Sequence, residues 1–452
     1  MAHRAAGAAA SGAGRAAVGG SRSRLLGSDG VPTPVPASLP ADAAAAAATR
    51  AHSYRALLAV PGFGRLVAAS TLAEIGSQMT AVVLVLFVLE RFSSPQLAGL
   101  TLLLAVGPGL VISPVAGAML DRSGRLRLIA ADYAVGAMSM SLIAVLAFTG
   151  QLVPATLLVI AALSSLSNPL SRSGTRSLFP LLVPRPMWDR ANAVDSGRFV
   201  ISTVVGPALG GTLVAATGGN IAVAATGGVY VVAALALVGM AEPAPGKARA
   251  GLLRDSLAGL LYVWRNRSLR GLAVTLSVFN LGFGIFTISL PLLVLHRLHR
   301  GAALVGALWA ALGIGGIIAG AVAGRVGSEG RERRLMAAAS AATVAAMTLV
   351  AVSSSLALVV VGMVLLGIAN GPYDIGLFSL RQRRTSPAWL GRPFAVSMSL
   401  NFLGFPLGTA LGGVLVARSL DLALLVAVLT IAVATALPLT MIPAHPEPET
   451  ID

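Results

Sequence analysis

The sequence predicts an all-α integral membrane protein with twelve transmembrane helices in two pseudo-symmetric six-helix bundles. Three observations lead to this prediction. Hydrophobic residues fill 56% of the 452 positions and charged residues only 11%, whereas soluble domains carry about a quarter charged residues. Twelve apolar runs are each close to the ~20 residues with which a helix crosses ~30 Å of hydrocarbon. The two halves of the chain also repeat each other at a constant offset.

The apolar runs fall into two sets of six. The first set lies at about residues 65–90, 95–120, 128–150, 153–175, 193–216 and 220–241. The second set lies at about residues 270–295, 302–325, 334–353, 355–379, 394–417 and 420–442. The sequence therefore predicts an N-terminal bundle at 56–241 and a C-terminal bundle at 270–443.

The remaining segments are predicted to lie in the cytoplasm. Residues 1–55 are mostly Ala, Gly, Ser, Pro and Arg without hydrophobic periodicity, which is typical of a disordered tail. Residues 242–269 form a linker, and apolar residues at helical spacing in 252–265 predict an amphipathic helix on the membrane surface. Residues 444–452 form a short second tail.

The distribution of arginines predicts the orientation. They cluster in the loops around 122–127, 185–190, 331–334 and 381–384, whereas the loops on the other side hold only Arg91, Arg297, Arg300 and Arg418. Cytoplasmic loops of membrane proteins carry the excess of Lys and Arg. We therefore expect a multi-pass protein of the plasma membrane with both termini in the cytoplasm.

Composition excludes several other classes of function. The net charge of +16 comes from short arginine clusters between apolar runs, without the aromatic residues of a nucleic-acid surface. Cysteine is absent, and the five histidines lie at the edges of the apolar runs or outside them, so we expect no metal site. There is no phosphate-binding glycine loop, so we expect no nucleotide and no other cofactor.

The repeat is visible in short motifs. Residues 210–215 read GGTLVA and residues 412–417 read GGVLVA, an offset of 202 residues. Gly206 and Gly408 are related by the same offset, as are Asn168 and Asn370. Internal repeats with a binding site at their interface are typical of secondary transporters.

Residues 117–127 carry the most specific motif. Gly117, Asp121, Arg122, Gly124 and Arg125 fit the pattern G-x-x-x-D-R-x-G-R-x-R directly after the second apolar run. The pattern resembles the loop between helices two and three of the major facilitator superfamily of secondary transporters. Gly124 permits a turn, and the resemblance implies a conformational latch in which Asp121 stabilises the outward-facing state. The alternative is a basic topology anchor with one solvated aspartate.

The fifth run carries a second motif of the same superfamily. Gly206, Pro207, Gly210 and Gly211 form the pattern G-P-x-x-G-G, which resembles the antiporter motif of efflux members. The resemblance covers about residues 56–443, and it is strongest to the drug and metabolite efflux branch. It therefore favours export over uptake. The alternative is an ordinary face of small residues that lets two helices pack closely.

One carboxylate is predicted to lie near the middle of the membrane. Glu74 follows Arg65 by nine residues, or ~14 Å of helix. An ionised group there is costly unless it faces a wet cavity, so Glu74 is the first candidate for binding a coupling proton. The alternative is a structural carboxylate bonded to neighbours such as Gln78. The equivalent position of the second half is Leu276, and the fourth helix lacks the mid-helix arginine associated with proton coupling in many drug antiporters.

Two opposite charges occupy equivalent positions of the repeat. Arg172 in helix four and Asp374 in helix ten are 202 residues apart, and we place both near the cytoplasmic ends of their helices. They are candidates for a gate that pairs when the inner mouth closes. Two separate interfacial charges, each satisfied locally, are the alternative. Asp195 and Arg198, three residues apart on helix five, are predicted to pair with each other.

Polar residues inside other runs are candidates for a central cavity or for interhelical hydrogen bonds. These residues are Gln78, Asn280, Tyr373 and Asn401.

These features together predict a transporter and not an enzyme. We expect a monomer that exports a small amphipathic organic compound, such as a drug, siderophore or secondary metabolite, by proton antiport and alternating access. Its partners would be that small molecule, protons and the lipid bilayer, without nucleic acid. The alternatives are an uptake permease driven by proton symport and a non-transporting membrane receptor or assembly subunit.

Overall fold

A computed structural model describes residues 54–241, 261–323, 329–385 and 402–444, apart from the side chains at 114, 117, 118, 121, 122, 180 and 321–323. Throughout these residues the secondary structure is helical, without a strand. Most of the predicted N-terminal tail and of the linker lies outside the described residues. Of the predicted amphipathic helix at 252–265, only residues 261–265 are described, and they are helical.

The first half begins with a short helix, Tyr54–Leu58, and a 3₁₀ turn, Arg185–Met187, connects its fourth and fifth spans. Its longer helices are α1 (Phe63–Phe92), α2 (Pro95–Ser123), α3 (Arg125–Phe148), α4 (Pro154–Ser165), α5 (Asn168–Leu182), α6 (Trp188–Thr217) and α7 (Gly219–Leu237).

In the second half, a π-helical segment, Leu293–Arg297, extends the first helix. The helices are α8 (Arg267–Leu292), α9 (Ala302–Ala323), α10 (Glu332–Val352), α11 (Leu356–Arg384), α12 (Gly404–Arg418) and α13 (Leu420–Met441).

The prediction of an all-α membrane protein is confirmed. Eleven helical stretches of the described residues are long and apolar enough to cross a membrane. The remaining predicted run, 394–417, is described only from residue 402, where it contributes α12.

The fourth span is not one continuous helix as predicted. Residues 166 and 167 form a turn between α4 and α5, and the helical path continues to Leu182, beyond the predicted end at 175. The cause of the break lies in the sequence, because Pro169 has no N–H to donate to the Ser165 carbonyl. Instead, Gly109 of α2 approaches that carbonyl closely, and the Asn168 side chain donates to the Ala105 carbonyl at 3.3 Å.

The repeated glycines make equivalent contacts in the two halves. A Cβ added at Gly210 of α6 would lie 3.4 Å from the Met79 carbonyl oxygen of α1. A Cβ added at Gly412 of α12 would lie 3.0 Å from the Ile285 carbonyl oxygen of α8. Helix pairs α1–α6 and α8–α12 therefore approach each other backbone to backbone, as small residues allow in membranes. The pseudo-symmetry predicted from the 202-residue offset is a property of helix packing.

The two halves contact each other through two further pairs of helices, α6–α9 and α2–α12. A Cβ at Gly211 would lie 2.7 Å from the Gly306 amide nitrogen, and a Cβ at Gly413 would lie 3.0 Å from the Gln96 Cα. These contacts lie at the helix ends remote from the arginine clusters. Toward mid-helix, the close approaches continue between Gly313 and Val204.

Candidate functional site

Charged and hydroxyl side chains surround a small cavity inside the N-terminal half. Its volume is about 30 Å³, which is room for about two water molecules. It is lined by residues of α1, α3, α5, α6 and α7, namely Ser70, Ala73, Glu74, Ser77, Asp132, Tyr133, Asn168, Ser171, Arg172, Thr175, Arg198 and Tyr230. The cavity has room for water next to these charged side chains.

Glu74 lies on this cavity, as expected for an acid that faces water. Its side chain is half-buried, and its Oε1 accepts a hydrogen bond from the Gln78 side-chain amide at 3.1 Å, one turn along α1. In the described part of the chain, no arginine forms an ion pair with Glu74. A hydrogen bond to Gln78 was expected if Glu74 is a structural carboxylate. The same bond is compatible with a role of Glu74 in proton binding.

A second acid on the cavity, Asp132, was missed by the sequence analysis. It lies seven residues after Arg125 in α3 and is only 7% exposed, about 10 Å along the helix. The Ser167 hydroxyl donates to its Oδ1 at 2.6 Å, and the Ser171 hydroxyl is a second partner. Arg172 exerts an electrostatic attraction on it without forming an ion pair. The available signal was an aspartate inside the third apolar run.

Arg172 lies on α5 and lines the cavity. Because α5 extends to Leu182, Arg172 is ten residues from the end of the helix, or ~15 Å. It is exposed, and its Nη2 donates a long hydrogen bond of 3.4 Å to the Ser77 hydroxyl of α1. The helix thus continues well past Arg172, and the depth of the arginine in the membrane stays a prediction.

The predicted pair of Asp195 and Arg198 is confirmed. Arg198 Nε donates to Asp195 Oδ1 at 2.7 Å, and the two side chains are 11% and 13% exposed. Arg198 also donates to the Ser70 carbonyl of α1 at 3.2 Å, and Arg176 approaches the second Asp195 oxygen at 3.6 Å. This acid is therefore neutralised by two arginines and ties α6 to α1 and α5.

The proposed gate is open in this structure. Asp374 is exposed on α11, ten residues before Arg384, and it forms no ion pair with Arg172. Within the described ranges, no hydrogen bond or ion pair engages the Asp374 carboxylate. The two charges lie at the same depth from the ends of their helices, so their pairing in another state stays a prediction.

The predicted latch is described only in part. The packing around Gly117 and the side chains of Asp121 and Arg122 lie outside what the structure describes. Gly124 joins α2 to α3 with a φ of 89° and a ψ of 128°, a conformation that residues with a Cβ rarely adopt. The predicted turn at Gly124 is present, and Arg125 begins α3 directly after it.

The G-P-x-x-G-G motif joins three helices. Gly206 and Gly210 pack on α1, whereas Gly211 packs on α9 of the other half, and the Pro207 carbonyl approaches Gly306 closely. The close packing that small residues allow is thus observed. The meaning of the motif for transport direction stays a prediction.

Two of the four cavity candidates, Gln78 and Asn280, are half-buried on α1 and α8. Tyr373 is only 2% exposed and stacks on Phe279 with ring centroids 4.5 Å apart, so in this structure it is part of the core. Asn401 lies outside the described residues.

An aromatic cluster in the C-terminal half was also missed by the sequence analysis. Phe283 and Trp309, both half-buried, meet edge to face at 5.9 Å. Phe286 contacts both rings, and Phe279 stacks on Phe283 at 6.5 Å. The aromatic residues of α8 are three or four positions apart, the spacing that places side chains on one helix face. That spacing was the available signal.

Comparisons with known proteins agree with the resemblance noted in the motifs. The model of the Major Facilitator Superfamily matches residues 66–409. The uncharacterized MFS-type transporter y4rN of Sinorhizobium fredii is 37% identical over 82% of this chain and 93% of its own length. The multidrug efflux pump Tap of Mycolicibacterium fortuitum is 28% identical over 76% of this chain and 87% of its own length.

Among solved structures, the nucleoside transporter NupG, as a D323A mutant, superposes with a TM-score of 0.71 at 12% identity. The match covers 84% of this chain and 99% of that one. At this identity the likeness shows the fold alone. With the family match over most of the chain, it follows that the protein belongs to the Major Facilitator Superfamily and is a multi-pass membrane transporter, not an enzyme.

Proposed function

We propose that the protein exports a small amphipathic organic compound across the plasma membrane in exchange for protons, by alternating access. The observation that supports proton coupling is the charged cavity of the N-terminal half. Two carboxylates, Glu74 and Asp132, face water-sized space inside the membrane without an ion-paired arginine among the described residues. Intramembrane acids are costly and mark ion or proton pathways.

The direction and the cargo class are supported by different observations. The relative Tap is a multidrug efflux pump, and the G-P-x-x-G-G motif of α6 resembles that of efflux antiporters. The half-buried rings of Phe283 and Trp309 offer an apolar and aromatic surface in the C-terminal half. Such surfaces bind the apolar part of an amphipathic solute.

The arrangement of the halves supports alternating access. They contact each other at the helix ends that hold Gln96 and Gly413, and Gly211 and Gly306. With the orientation predicted from the arginines, those ends face outward. The state described here is then closed on the outer side, with Asp374 exposed toward the cytoplasm.

Transport into proteoliposomes tests the proposal. The purified protein would be challenged with ethidium and a panel of amphipathic amines and phenols under imposed pH differences. We expect at least one compound to accumulate in the lumen when the lumen is acidic, in molecules whose cytoplasmic side faces outward. Movement of no compound, or accumulation only with an acidic exterior, would overturn proton-antiport export.

The variant Glu74→Gln tests the role of the cavity. It should lose accumulation driven by the pH difference but retain exchange of labelled compound across the membrane at equal pH. The matched control is Glu90→Gln, because Glu90 lies on the same helix and binds the Gly219 amide at 2.9 Å, which glutamine can also do. Accumulation by Glu74→Gln equal to that of Glu90→Gln would remove Glu74 from coupling.

A further inference from the structure

Three acids lie close together in the N-terminal half, and each has a different kind of partner. Asp195 is ion-paired with Arg198 and approached by Arg176. Glu74 is half-buried and bonded to the Gln78 amide. Asp132 is buried, and its hydrogen-bond partners are hydroxyl groups.

Hydroxyl partners suit a carboxyl group in both of its protonation states. A serine hydroxyl donates to a carboxylate and accepts from a carboxylic acid, whereas a guanidinium group only donates. Asp195, held by two arginines, is therefore satisfied only as a carboxylate. Asp132 remains hydrogen-bonded whether it is charged or neutral, so it avoids the cost of a buried polar group without a partner.

The Ser167 hydroxyl has two acceptors within reach. It lies 2.6 Å from Asp132 Oδ1 and 3.0 Å from the Ser164 carbonyl oxygen. A hydroxyl carries one proton, so it donates fully to only one of them. When Asp132 is a carboxylate, Ser167 donates to it; when Asp132 is protonated, the acid donates to Ser167, and Ser167 donates to the Ser164 carbonyl.

This exchange takes place at the break of the fourth span. Ser164 is in the last turn of α4, and Ser167 directly precedes α5. Protonation of Asp132 therefore gives the Ser167 proton fully to the Ser164 carbonyl across the break, and it reverses donor and acceptor in the hydrogen bond between Asp132 and Ser167. The charge state of one carboxyl group changes the link between the two segments.

Arg172 lies on the segment that follows the break. Asp132 attracts it, and its only hydrogen bond in the described residues is the long one to Ser77. The other charged or titratable groups that face Asp132 from the packed helices are Glu74, Tyr133, Arg198 and Tyr230. Since Arg198 is engaged with Asp195, Asp132 is the carboxylate whose charge acts on Arg172.

We infer that Asp132 is the group on which the coupling proton rests, and that its protonation frees Arg172 to pair with Asp374. A proton from cavity water forms an O–H bond on one Asp132 oxygen, the negative charge disappears, and no other covalent bond changes. Glu74, more accessible, passes the proton between the open cavity and Asp132. The inference rests on the proposed proton antiport and adds to it the residue and the link to the gate.

Infrared difference spectroscopy tests the assignment without transport. The full chain would be labelled with ¹³C at the aspartate carboxyl group, reconstituted in phospholipid and titrated with acid. The label moves the carbonyl band of protonated aspartates away from that of glutamates. We expect Asp132→Asn to remove a component of the labelled band that Glu74→Gln and Asp374→Asn both leave. A labelled band identical in wild type and a folded Asp132→Asn variant would overturn the inference.

A milder pair of variants keeps the test decisive if Asp132→Asn does not fold. Ser167→Ala removes the partner hydroxyl, so the labelled band should move to higher wavenumber, where carboxyl groups with fewer hydrogen bonds absorb. Ser164→Ala is the matched control, because its hydroxyl binds the Ala161 carbonyl and not Asp132. An unchanged band in Ser167→Ala would overturn the inference.

The two proposals fail separately. In one case, the wild-type protein pumps a compound under a pH difference, but the labelled band is the same in Asp132→Asn and Ser167→Ala as in wild type. The assignment of the proton site to Asp132 is then wrong, and the proposed proton antiport stands. If the band behaves as expected while no compound moves, the proton site stands and the proposed export fails.

Discussion

The two halves of the molecule share a helix arrangement and differ in the side chains inside it. In the N-terminal half, Glu74, Asp132 and Arg172 line a polar cavity. In the C-terminal half, the position equivalent to Glu74 is Leu276, which is 6% exposed, and aromatic rings such as Phe283 and Trp309 pack together. Backbone symmetry therefore does not impose chemical symmetry, because glycine contacts determine the packing and other positions are free to diverge.

The ion pairs show the same division. The N-terminal half holds Asp195 and Arg198 inside its bundle, both nearly buried. In the C-terminal half, Arg297 pairs with Asp421. Both residues lie at helix ends, and Asp421 is 83% exposed. The N-terminal half thus holds this pair in the interior of its bundle, and the C-terminal half holds its pair of Arg297 and Asp421 at helix ends. This difference agrees with the roles proposed above, proton coupling for the N-terminal half and cargo binding for the C-terminal half.

The largest expected effect comes from breaking one ion pair in each half with the same substitution. Asp195→Asn leaves Arg198 without its partner in a nearly buried site, which costs about 3–5 kcal/mol. Asp421→Asn removes an exposed partner, which costs about 0–1 kcal/mol. Thermal unfolding in detergent should show a clear loss of stability for the first variant and almost none for the second. Equal losses would contradict the division between the halves.

The next largest effect is expected at the predicted gate, which would join the two halves. Asp374→Ala should shift the protein toward the state that is open to the cytoplasm, because the closed state leaves Arg172 unpaired. Arg172→Asp combined with Asp374→Arg should restore part of the transport that either single change loses. Cross-linking between introduced cysteines reports the state cleanly, since the chain has none. A double variant no better than the singles, with cross-links unchanged by Asp374→Ala, would remove the gate.

The predicted latch distinguishes the halves in sequence, because Asp121 lies four residues after Gly117, whereas the second half has Gly324 four residues after Gly320. Asp121→Asn should slow transport several-fold while leaving expression and insertion intact, since the acid is expected to contact a positive helix N-terminus. The reciprocal change Gly324→Asp should alter transport little. Normal transport kinetics in Asp121→Asn would favour a simple topology anchor.

The smallest effect is expected at the turns that follow α2 and α9. Gly124 is buried with a φ of 89°, so Gly124→Ala should cost about 1–3 kcal/mol of stability. Gly330 is exposed with a φ of 70°, and Gly330→Ala should cost only about 1 kcal/mol. Thermal midpoints of the two variants, measured side by side, decide whether the first turn is the more constrained one.

Much of the fold followed from the sequence, because its causes are local. Apolar runs of spanning length predict the helices, and an offset of 202 residues predicts that the halves pack alike. The three-residue spacing of Asp195 and Arg198 was enough to predict their ion pair. The break before Pro169 was also present in the sequence, as a residue without an N–H inside an apolar run.

Tertiary structure alone decided which side chains meet. The sequence singled out Glu74 but not Asp132, although both face the same cavity. The physical reason is that a membrane helix is apolar toward lipid as well as toward its neighbours, so no amphipathic stripe shows which face points inward. By itself the sequence determined a twelve-helix transporter with an acid in the membrane. The packing of α1, α3 and α5 decided that two acids and Arg172 share one site.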